Sequence, residues 1–369
     1  MDLRRAILAG SCHILTHTGA GRLLAPFTQG AGLIFTLHKV EPARQAGAFA
    51  PNGHLTVTPE FLEATIAQVR AAGIEFVSLD EAVRRLKHGG SERRFAAITL
   101  DDGYRNNLEF AYPIFRKHGV PFTIFVASGF VDRNSEIWWE ALERIVAGSD
   151  HIEIPIGARM ERLPARSVAE KISAYSRAAS WLSCDTGEAA QRLEIRRLAT
   201  QHGLDLKELA DELILSWDEL RRLCEDPLAT VGGHTHDHFA LARLSRGEMR
   251  DNVRLGLERL EAELGVRPRH FAYPYGYEAA VDRRSVETLK EFGFDCALTT
   301  RPGMLKDAAH HEMLALPRIS LNGYFQHAAI VSQFLTGAPF PFYNMVRGIK
   351  ERLVFLPGSA RVPNPDRVL

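Results

Sequence analysis

The feature that most limits the fold of this chain is a regular alternation of short β-rich runs and helical stretches, which begins at Gly32. Such alternation is typical of parallel strands joined by crossover helices. Seven such strands can form either a barrel or an open doubly wound sheet, and periodicity alone does not choose between them. The predicted strands span residues 33–37, 76–78, 96–100, 123–126, 230–232, 270–273 and 296–299.

Capping residues mark where several of the intervening helices begin and end. Thr58 suits the N-cap of a helix that stops at Gly73. Ser245 and Glu248 have the spacing of a capping box, and they open a helix that closes at Gly265. These signals predict crossover helices at the places that a parallel sheet requires.

Two regions interrupt the alternation. Residues 138–223 are too long for an ordinary crossover and are rich in Ala, Arg, Leu and Glu, so they are predicted to form an inserted helical subdomain. We divide the chain into an N-terminal segment (1–30), a β/α domain (31–325) and a C-terminal extension (326–369). The extension contains a basic amphipathic piece, 347–353, which either contacts a membrane surface or an assembly partner, or covers the protein's own core.

Composition excludes several classes of protein. The 369 residues include 45 Lys plus Arg and 45 Asp plus Glu, so no net charge attracts the chain to nucleic acid. The four cysteines are scattered without a CxxC pair and are predicted to be core thiols. The apolar run after Arg5 is too short to span a bilayer and lacks a signal-peptide cleavage site. We expect a cytoplasmic protein, with membrane association left open.

Two adjacent carboxylates, Asp101 and Asp102, follow the predicted strand 96–100 and precede Gly103. Parallel α/β folds place their reactive groups at the carboxyl ends of strands. The glycine makes a turn easy, so both carboxylates can face one pocket. The same three residues are also common turn chemistry, and alone they do not establish a catalytic site.

A histidine-rich segment follows the predicted strand 230–232. His234 and His238 are four residues apart, and this spacing lets a helical turn bring both rings to one metal ion. Two histidines and one carboxylate form a common open ligand set for Zn²⁺ or Fe²⁺. A solvated histidine loop is the alternative. A third segment, Tyr273-Pro274-Tyr275-Gly276, also ends a strand, where it either turns a backbone N–H into the pocket or simply terminates the strand.

Together these segments resemble the polysaccharide deacetylase superfamily of the carbohydrate esterase family 4 type. The likeness rests on Thr99-Leu100-Asp101-Asp102-Gly103 and on His234-Thr235-x-x-His238, and it covers residues 33–320 without the insert. The resemblance implies a distorted (β/α) barrel of about seven parallel strands. It also implies a divalent metal, zinc by default, held by Asp102, His234 and His238, with Asp101 as catalytic base and the Tyr275 N–H facing the oxyanion.

The sequence departs from the family pattern in two places. Ala272 stands where the family commonly has an arginine that orients the base, and Arg318 is the candidate replacement. The late segment that carries the family's general acid is also missing. His38, at the end of the first strand, is the first candidate for that acid, with His310 and His311 as alternatives.

The resemblance implies a metal-dependent hydrolase that removes an N-acetyl or similar small acyl group from an amino sugar. The carbohydrate substrate would be an oligosaccharide, a polysaccharide or a lipid-linked saccharide. Two alternatives stay open: hydrolysis of a non-sugar linear or cyclic amide or of a formamide, and a non-catalytic saccharide-binding or scaffold role. Trp138 and Trp139 are either a sugar-stacking surface or part of the core.

Overall fold

A parallel sheet forms the centre of the computed structural model, which describes residues 3–45, 47–88, 93–157, 159–306, 308–341 and 343–345. The strands in this described part are β1 Gly32–Leu37, β2 Lys39–Val40, β3 Thr56–Val57, β4 Glu75–Phe76, β5 Phe95–Leu100, β6 Phe122–Val126, β7 His151–Ile156, β8 Arg159–Pro164, β9 Ala229–Gly233, β10 His270–Ala272, β11 Cys296–Leu298 and β12 Ile319–Ser320.

The sheet has the order β11-β10-β9-β6-β5-β1-β12, with β4 paired to the start of β5. All of these pairings are parallel. Leu316, in the segment that enters β12, bridges Leu298 of β11, so the two edges of the sheet are joined. This is the predicted distorted barrel. All seven predicted strands lie in it, whereas β12 is too short to produce an alternating pattern and was not predicted.

The two central strands show why the sheet is parallel and covered on both faces. Every residue of β1 and of β5 is buried. Continuous apolar strands of this kind need helices on both sides, because a face left in water would lose its hydrophobic stabilisation. The sheet thus places the carboxyl ends of β1, β5, β9 and β10 at one edge.

The helices occupy the predicted crossovers and their ends follow the capping signals. The side chain of Thr58 accepts from Phe61 N, and Ser245 and Glu248 form the capping box. The described helices are α1 Leu3–Thr18, α2 Ala20–Thr28, α3 Pro59–Ala71, α4 Leu79–His88, α5 Tyr112–His118, α6 Ser128–Val131, α7 Trp138–Gly148, α8 Val168–Cys184, α9 Glu188–His202, α10 Leu206–Leu213, α11 Trp217–Cys224, α12 Arg246–Leu264, α13 Arg283–Lys290 and α14 Ala328–Thr336.

The insert at 138–223 contains the predicted helices, α7 to α11, but it also contains an antiparallel hairpin of β7 and β8. The sequence prediction missed this hairpin. Only one side of β7 is buried, by Ile152 and Ile154, and β8 has no fully buried residue. Two such short strands carry too little periodicity to stand out in a helix-rich segment.

The N-terminal and C-terminal segments pack against each other beside the barrel. Helix α14 contacts α1, α2 and α3. The Thr28 hydroxyl donates to the carbonyl of Thr336 at 2.7 Å, and Arg94 donates to the carbonyl of Leu335 at 2.8 Å. The proposed domain limits at 30 and 325 stay a prediction, and the basic piece 347–353 lies outside the described residues.

None of the described helices combines the length and apolar character needed to cross a bilayer. The four cysteines are free thiols. Cys12 and Cys296 are buried as expected, whereas Cys184 and Cys224 are exposed, so the prediction of core thiols is wrong for these two. They lie at or near the ends of α8 and α11, where a helix leaves the core.

Candidate active site

The three motifs meet at the carboxyl ends of the strands that precede them. Asp101 and Asp102 follow β5, the two histidines follow β9, and Tyr275 lies just after β10. Strands β5, β6, β9 and β10 are successive neighbours in the sheet. Segments more than a hundred residues apart in the chain therefore reach one cavity.

Asp102, His234 and His238 form a buried cluster. The Oδ1 atom of Asp102 lies 3.3 Å from Nε2 of His234 and 3.1 Å from Nε2 of His238. The ligand atoms of the three side chains all lie within 4.8 Å of one another. Although it is buried, Asp102 Oδ1 has no hydrogen-bond partner among the described residues. A buried carboxylate oxygen without a partner is costly, and two nitrogens around the same point make the donor set suit a divalent cation.

The other nitrogen of His234 determines which ring nitrogen is available to a metal. Nδ1 lies 2.7 Å from the carbonyl oxygen of Ala272. Since a carbonyl only accepts, Nδ1 carries the proton and donates it. The lone pair of the neutral ring is then on Nε2, which faces Asp102. Strand β10 thus orients a ligand that follows β9.

Aromatic rings enclose the imidazole of His238. Its centroid lies 5.5 Å from that of Phe130, 5.0 Å from Trp139 and 4.8 Å from Tyr275. This burial lowers the pKa of His238 to about 4, although the charge of Asp102 acts in the opposite direction. The ring is therefore neutral at neutral pH, which is the form that binds a metal.

The backbone is strained where these motifs turn. Five non-glycine residues in the described part of the chain have a positive φ, and four of them lie in the motifs: Asp102 (74°), Thr235 (63°), His238 (56°) and Tyr275 (61°). A positive φ costs a residue with a Cβ about 1–3 kcal/mol and persists only where the surroundings hold it. The parallel strands and the packed helices hold these turns, and Asp102, His238 and Tyr275 line the cavity.

Asp101, next to the cluster, is held by Arg318. Nη1 and Nη2 of Arg318 donate to the two carboxylate oxygens at 2.7 and 2.6 Å. The Thr36 hydroxyl also donates to Asp101, at 3.4 Å. Burial alone would raise the pKa of Asp101, but the charge and paired hydrogen bonds of Arg318 outweigh it and lower the pKa. The carboxylate is ionised and fixed in position.

Arg318 itself is fully buried and lies one residue before β12. Its Nε donates to the carbonyl of Thr299 at 2.9 Å, and Nη1 also donates to the Thr99 hydroxyl at 3.1 Å. In the resembled family, the corresponding guanidinium belongs to the third motif. Here the guanidinium of Arg318, next to the strand that closes the barrel, reaches the Asp101 carboxylate.

The other residues that the sequence suggested for catalysis are His38, Tyr275, His310 and His311, and they lie in different places. His38 is half-buried and lines the same cavity as Asp102 and His238. Tyr275 also lines it, and its amide N–H donates to no acceptor within the described residues. The lining of the cavity includes neither His310 nor His311, and Nε2 of His311 accepts from Lys306 N.

A buried polar network behind the site was missed by the sequence analysis. Lys39 Nζ donates to Glu140 Oε1 at 2.8 Å, and the Tyr104 hydroxyl donates to the same oxygen at 3.1 Å. Trp139 Nε1 in turn donates to the Tyr104 hydroxyl at 2.7 Å. Trp138 and Trp139 are fully buried and belong to the core, so they offer no surface for a sugar. A buried lysine two residues after the apolar run of β1 is the signal that could have revealed the network.

The cavity at this edge of the sheet has a volume of about 250 Å³. Its polar part contains Thr36, His38, Asp102 and His238. The site thus combines a buried Asp-His-His cluster with the donor set of a metal site, a carboxylate held by an arginine, and an imidazole.

The sequence of the chain is similar to that of a known protein family. A profile of the polysaccharide deacetylase family matches residues 88–154 and 185–297. The interval between these ranges contains β8 and α8 of the insert. No curated protein matches the sequence significantly.

Solved structures share the fold at low sequence identity. The deacetylase PplD of Streptococcus pyogenes, in complex with acetate, is 16% identical with a TM-score of 0.53, covering 82% of this chain and 97% of that chain. IcaB of Ammonifex degensii is 18% identical with a TM-score of 0.51, covering 82% and 98%. A de-N-acetylase of Aggregatibacter actinomycetemcomitans is 12% identical with a TM-score of 0.51, covering 82% and 99%.

The solved structures are similar to this chain in fold, whereas the profile matches the sequence segments that carry both site motifs. The matched ranges contain β5, β6, β9 and β10 of the barrel and the segments after β5 and β9. The chain belongs to the polysaccharide deacetylase superfamily.

Proposed function

We propose that the protein is a metal-dependent hydrolase that removes an N-acetyl or similar small acyl group from an amino sugar. The sugar belongs to an oligosaccharide, a polysaccharide or a lipid-linked saccharide. One observation carries the proposal: the buried Asp101–Arg318 pair stands directly beside the Asp102, His234 and His238 cluster. The cytoplasmic location expected from the sequence stays a prediction.

The charged residues divide into two roles. Asp102, His234 and His238 hold a divalent ion, with zinc as the default, because a carboxylate and two imidazoles accept several such ions. When bound, the ion supplies Lewis-acid polarisation of the amide carbonyl and of the attacking water. Asp101 accepts the proton of that water. Arg318 keeps the Asp101 carboxylate ionised and oriented.

Two further groups complete the reaction. The backbone N–H of Tyr275, which has no acceptor among the described residues, donates to the oxyanion that forms from the carbonyl. His38 donates a proton to the leaving amine, since it lines the cavity beside the ligand cluster. The amine needs this proton because an amide nitrogen is a poor leaving group without it.

The test compares metal content and acetate release in matched variants. Asp101→Asn is expected to lose turnover while it retains the metal. Asp102→Ala and His234→Ala are expected to lose the metal and turnover together. Asp251→Asn and His88→Ala, on exposed helix positions, are the matched controls and should behave as the wild type.

Full activity of Asp101→Asn would exclude the proposed base. A wild-type protein that binds no divalent ion at any accessible concentration would leave the metal-dependent mechanism without support and favour a non-catalytic relative. Release of formate or ammonia in place of acetate would redirect the assignment to a formamide or a non-sugar amide.

A further inference from the structure

The lining of the cavity at the candidate site contains both polar and apolar side chains. The polar lining includes Asp102 and His238 of the ligand cluster, His38, Ser320 and Asn322. The apolar lining includes aliphatic and aromatic side chains that come from the terminal segments and from the loop after β12. We call this group the apolar wall: Leu8, Ile319, Phe325, Phe334, Phe340 and Tyr343.

Ring contacts show that much of the apolar wall is continuous. The centroids of Phe325 and Phe334 are 6.3 Å apart, and those of Phe334 and Phe340 are 5.6 Å apart. Tyr324 extends the row, 6.4 Å from Phe325, and stacks on His54 at 5.4 Å. A row of aromatic rings thus lines the cavity.

The chemistry of the apolar wall does not suit a substrate made only of sugar. Apart from the Tyr343 hydroxyl, the wall offers no hydrogen-bond donors or acceptors, and a sugar hydroxyl placed against its aliphatic and phenyl side chains would lose its hydrogen bonds to water. Each methylene of an alkyl chain placed there gains about 0.8 kcal/mol. The wall therefore favours the hydrocarbon part of an amphiphilic substrate.

The helix that contributes Leu8 also presents apolar side chains to solvent. Ile14 on α1 is 62% exposed, and Leu23 and Phe27 on α2 are 77% and 85% exposed. Residues 3–28 contain three arginines and no Asp or Glu. Exposed apolar side chains on helices that carry only positive charge are typical of segments that lie in the interface of an anionic membrane.

We propose that the substrate is an amino sugar carried on a lipid, received from an anionic membrane on which α1 and α2 rest. The apolar wall holds the first methylenes of the lipid chain, while the acylated sugar lies at the ligand cluster. This inference rests on the proposed function and narrows its substrate class. It concerns the N-terminal helices, whereas the membrane contact considered from the sequence, as one of two alternatives, concerned the C-terminal extension.

The first experiment measures co-sedimentation of the full chain with vesicles of equal parts phosphatidylcholine and phosphatidylglycerol. The wild type is expected to sediment with these vesicles and to stay in solution with phosphatidylcholine alone. The double variant Leu23→Glu/Phe27→Glu should lose at least about tenfold in bound fraction. Leu193→Glu/Val266→Glu, which changes two apolar residues of similar exposure elsewhere, is the matched control and should bind as the wild type.

The vesicle experiment has clear contrary outcomes. Equal binding by the two double variants, or no binding by the wild type, would overturn the proposal. A dimer of the wild type that Leu23→Glu/Phe27→Glu converts to monomer would mean that a second copy covers this face, which also overturns it. Both double variants should hydrolyse a water-soluble substrate at the wild-type rate, which shows that they are folded.

The second experiment compares octyl and methyl glycosides of N-acetylglucosamine as probes. The octyl compound is expected to have a kcat/KM at least about tenfold higher, since only a few buried methylenes are needed for that factor. Leu8→Gln should reduce this preference, measured as the ratio of the two kcat/KM values. If neither probe is turned over, calorimetric affinities for the Asp101→Asn protein make the same comparison.

The outcomes separate this inference from the proposed function. Equal kcat/KM values, or equal affinities, for the two glycosides overturn the lipid-linked substrate and leave the hydrolase proposal intact. Preference for the octyl compound in the wild type, combined with full activity in Asp101→Asn, supports the lipid-linked substrate and overturns the catalytic assignment.

Discussion

Single residues determine whether the carboxylate beside the ligand cluster can act as a base. Asp101 has no freedom to rotate, because Arg318 contacts both of its oxygens and Thr36 contacts one of them. A guanidinium offers two parallel N–H donors, whereas an ammonium offers a point charge on a flexible stem. The shape of Arg318, and not only its charge, therefore positions the base.

Replacing Arg318 by lysine tests this positioning role. Arg318→Lys keeps the charge but removes the paired hydrogen bonds, so we expect kcat to fall by roughly 10²-fold while KM and metal content stay close to the wild type. Steady-state kinetics and metal analysis on the same preparation measure both. Arg318→Met should lose more, because it leaves the Asp101 charge buried and unpaired. Equal kcat values for the lysine variant and the wild type would contradict a positioning role.

The assignment of His38 as proton donor has a test that depends on the leaving group. His38→Asn should lower the rate of amide hydrolysis by roughly 10²-fold, because the leaving amine then lacks its acid. Hydrolysis of 4-nitrophenyl acetate should change little, since nitrophenolate leaves without protonation. His54→Asn serves as the comparison, because His54 also lines the cavity. If His54→Asn shows this pattern and His38→Asn does not, the donor is His54.

At the scale of elements, one carboxylate ties three helices together behind the histidine motif. Asp132, which follows α6, accepts from Trp217 Nε1 of α11 at 2.8 Å and from two nitrogens of Arg259 of α12 at 2.9 and 2.6 Å. Burial by itself raises the pKa of Asp132, but these hydrogen bonds and the Arg259 charge outweigh it and lower the pKa. The contacts join the insert to the crossover helix that follows β9.

This pairing predicts a stability difference that depends on pH. Asp132→Asn should lower the free energy of unfolding at pH 7 by about 1 kcal/mol, since Arg259 is about one-third exposed and solvent weakens the pair. Because folding lowers the pKa of Asp132, its contribution is complete above the unfolded value of about 3.9 and is lost as the pH falls through the folded value. Urea denaturation of both proteins at pH 7 and at about pH 3 measures the difference.

An exposed carboxylate on the same helix as Arg259 serves as the control for the Asp132 experiment. Asp251 pairs with Arg254 on the surface of α12, and Asp251→Asn should change the stability little at either pH. A stability difference for Asp132→Asn that persists unchanged at about pH 3 would mean that its charge is not the cause.

At the scale of the whole molecule, the ligand cluster links two halves of the barrel that are far apart in the chain. Asp102 follows β5, whereas His234 and His238 follow β9, and the insert lies between them. An ion bound by all three stabilises only the folded chain, because the unfolded chain does not bring these residues together. Binding and folding are thus coupled across the sheet.

Metal addition and removal test this coupling. Zn²⁺ at about 100 times its Kd should raise the free energy of unfolding by about 2.7 kcal/mol, and a chelator should reverse the effect. Thermal unfolding with and without metal measures the shift. His234→Ala should unfold at the same temperature in both conditions. A zinc-dependent shift that survives in His234→Ala would place the ion elsewhere.

Features that depend on neighbours in the chain were predictable from the sequence. The seven strands, the capping residues Thr58 and Ser245, and the two motifs at strand ends all follow from patterns within a few residues, because caps and side-chain alternation are local effects. Parallel strands then bring their carboxyl ends to one edge, so the gathering of the motifs was also predictable.

Other features were decided only by the tertiary structure. The family resemblance named Arg318 as the candidate that orients Asp101, but the two are separated by 217 positions, and their contact itself depends on the closure of the barrel at Leu316. The hairpin β7–β8 and the apolar wall likewise depend on packing between distant segments. The physical reason is the same in each case: these contacts form between surfaces that exist only after the local elements have packed, and no pattern of neighbouring residues encodes them.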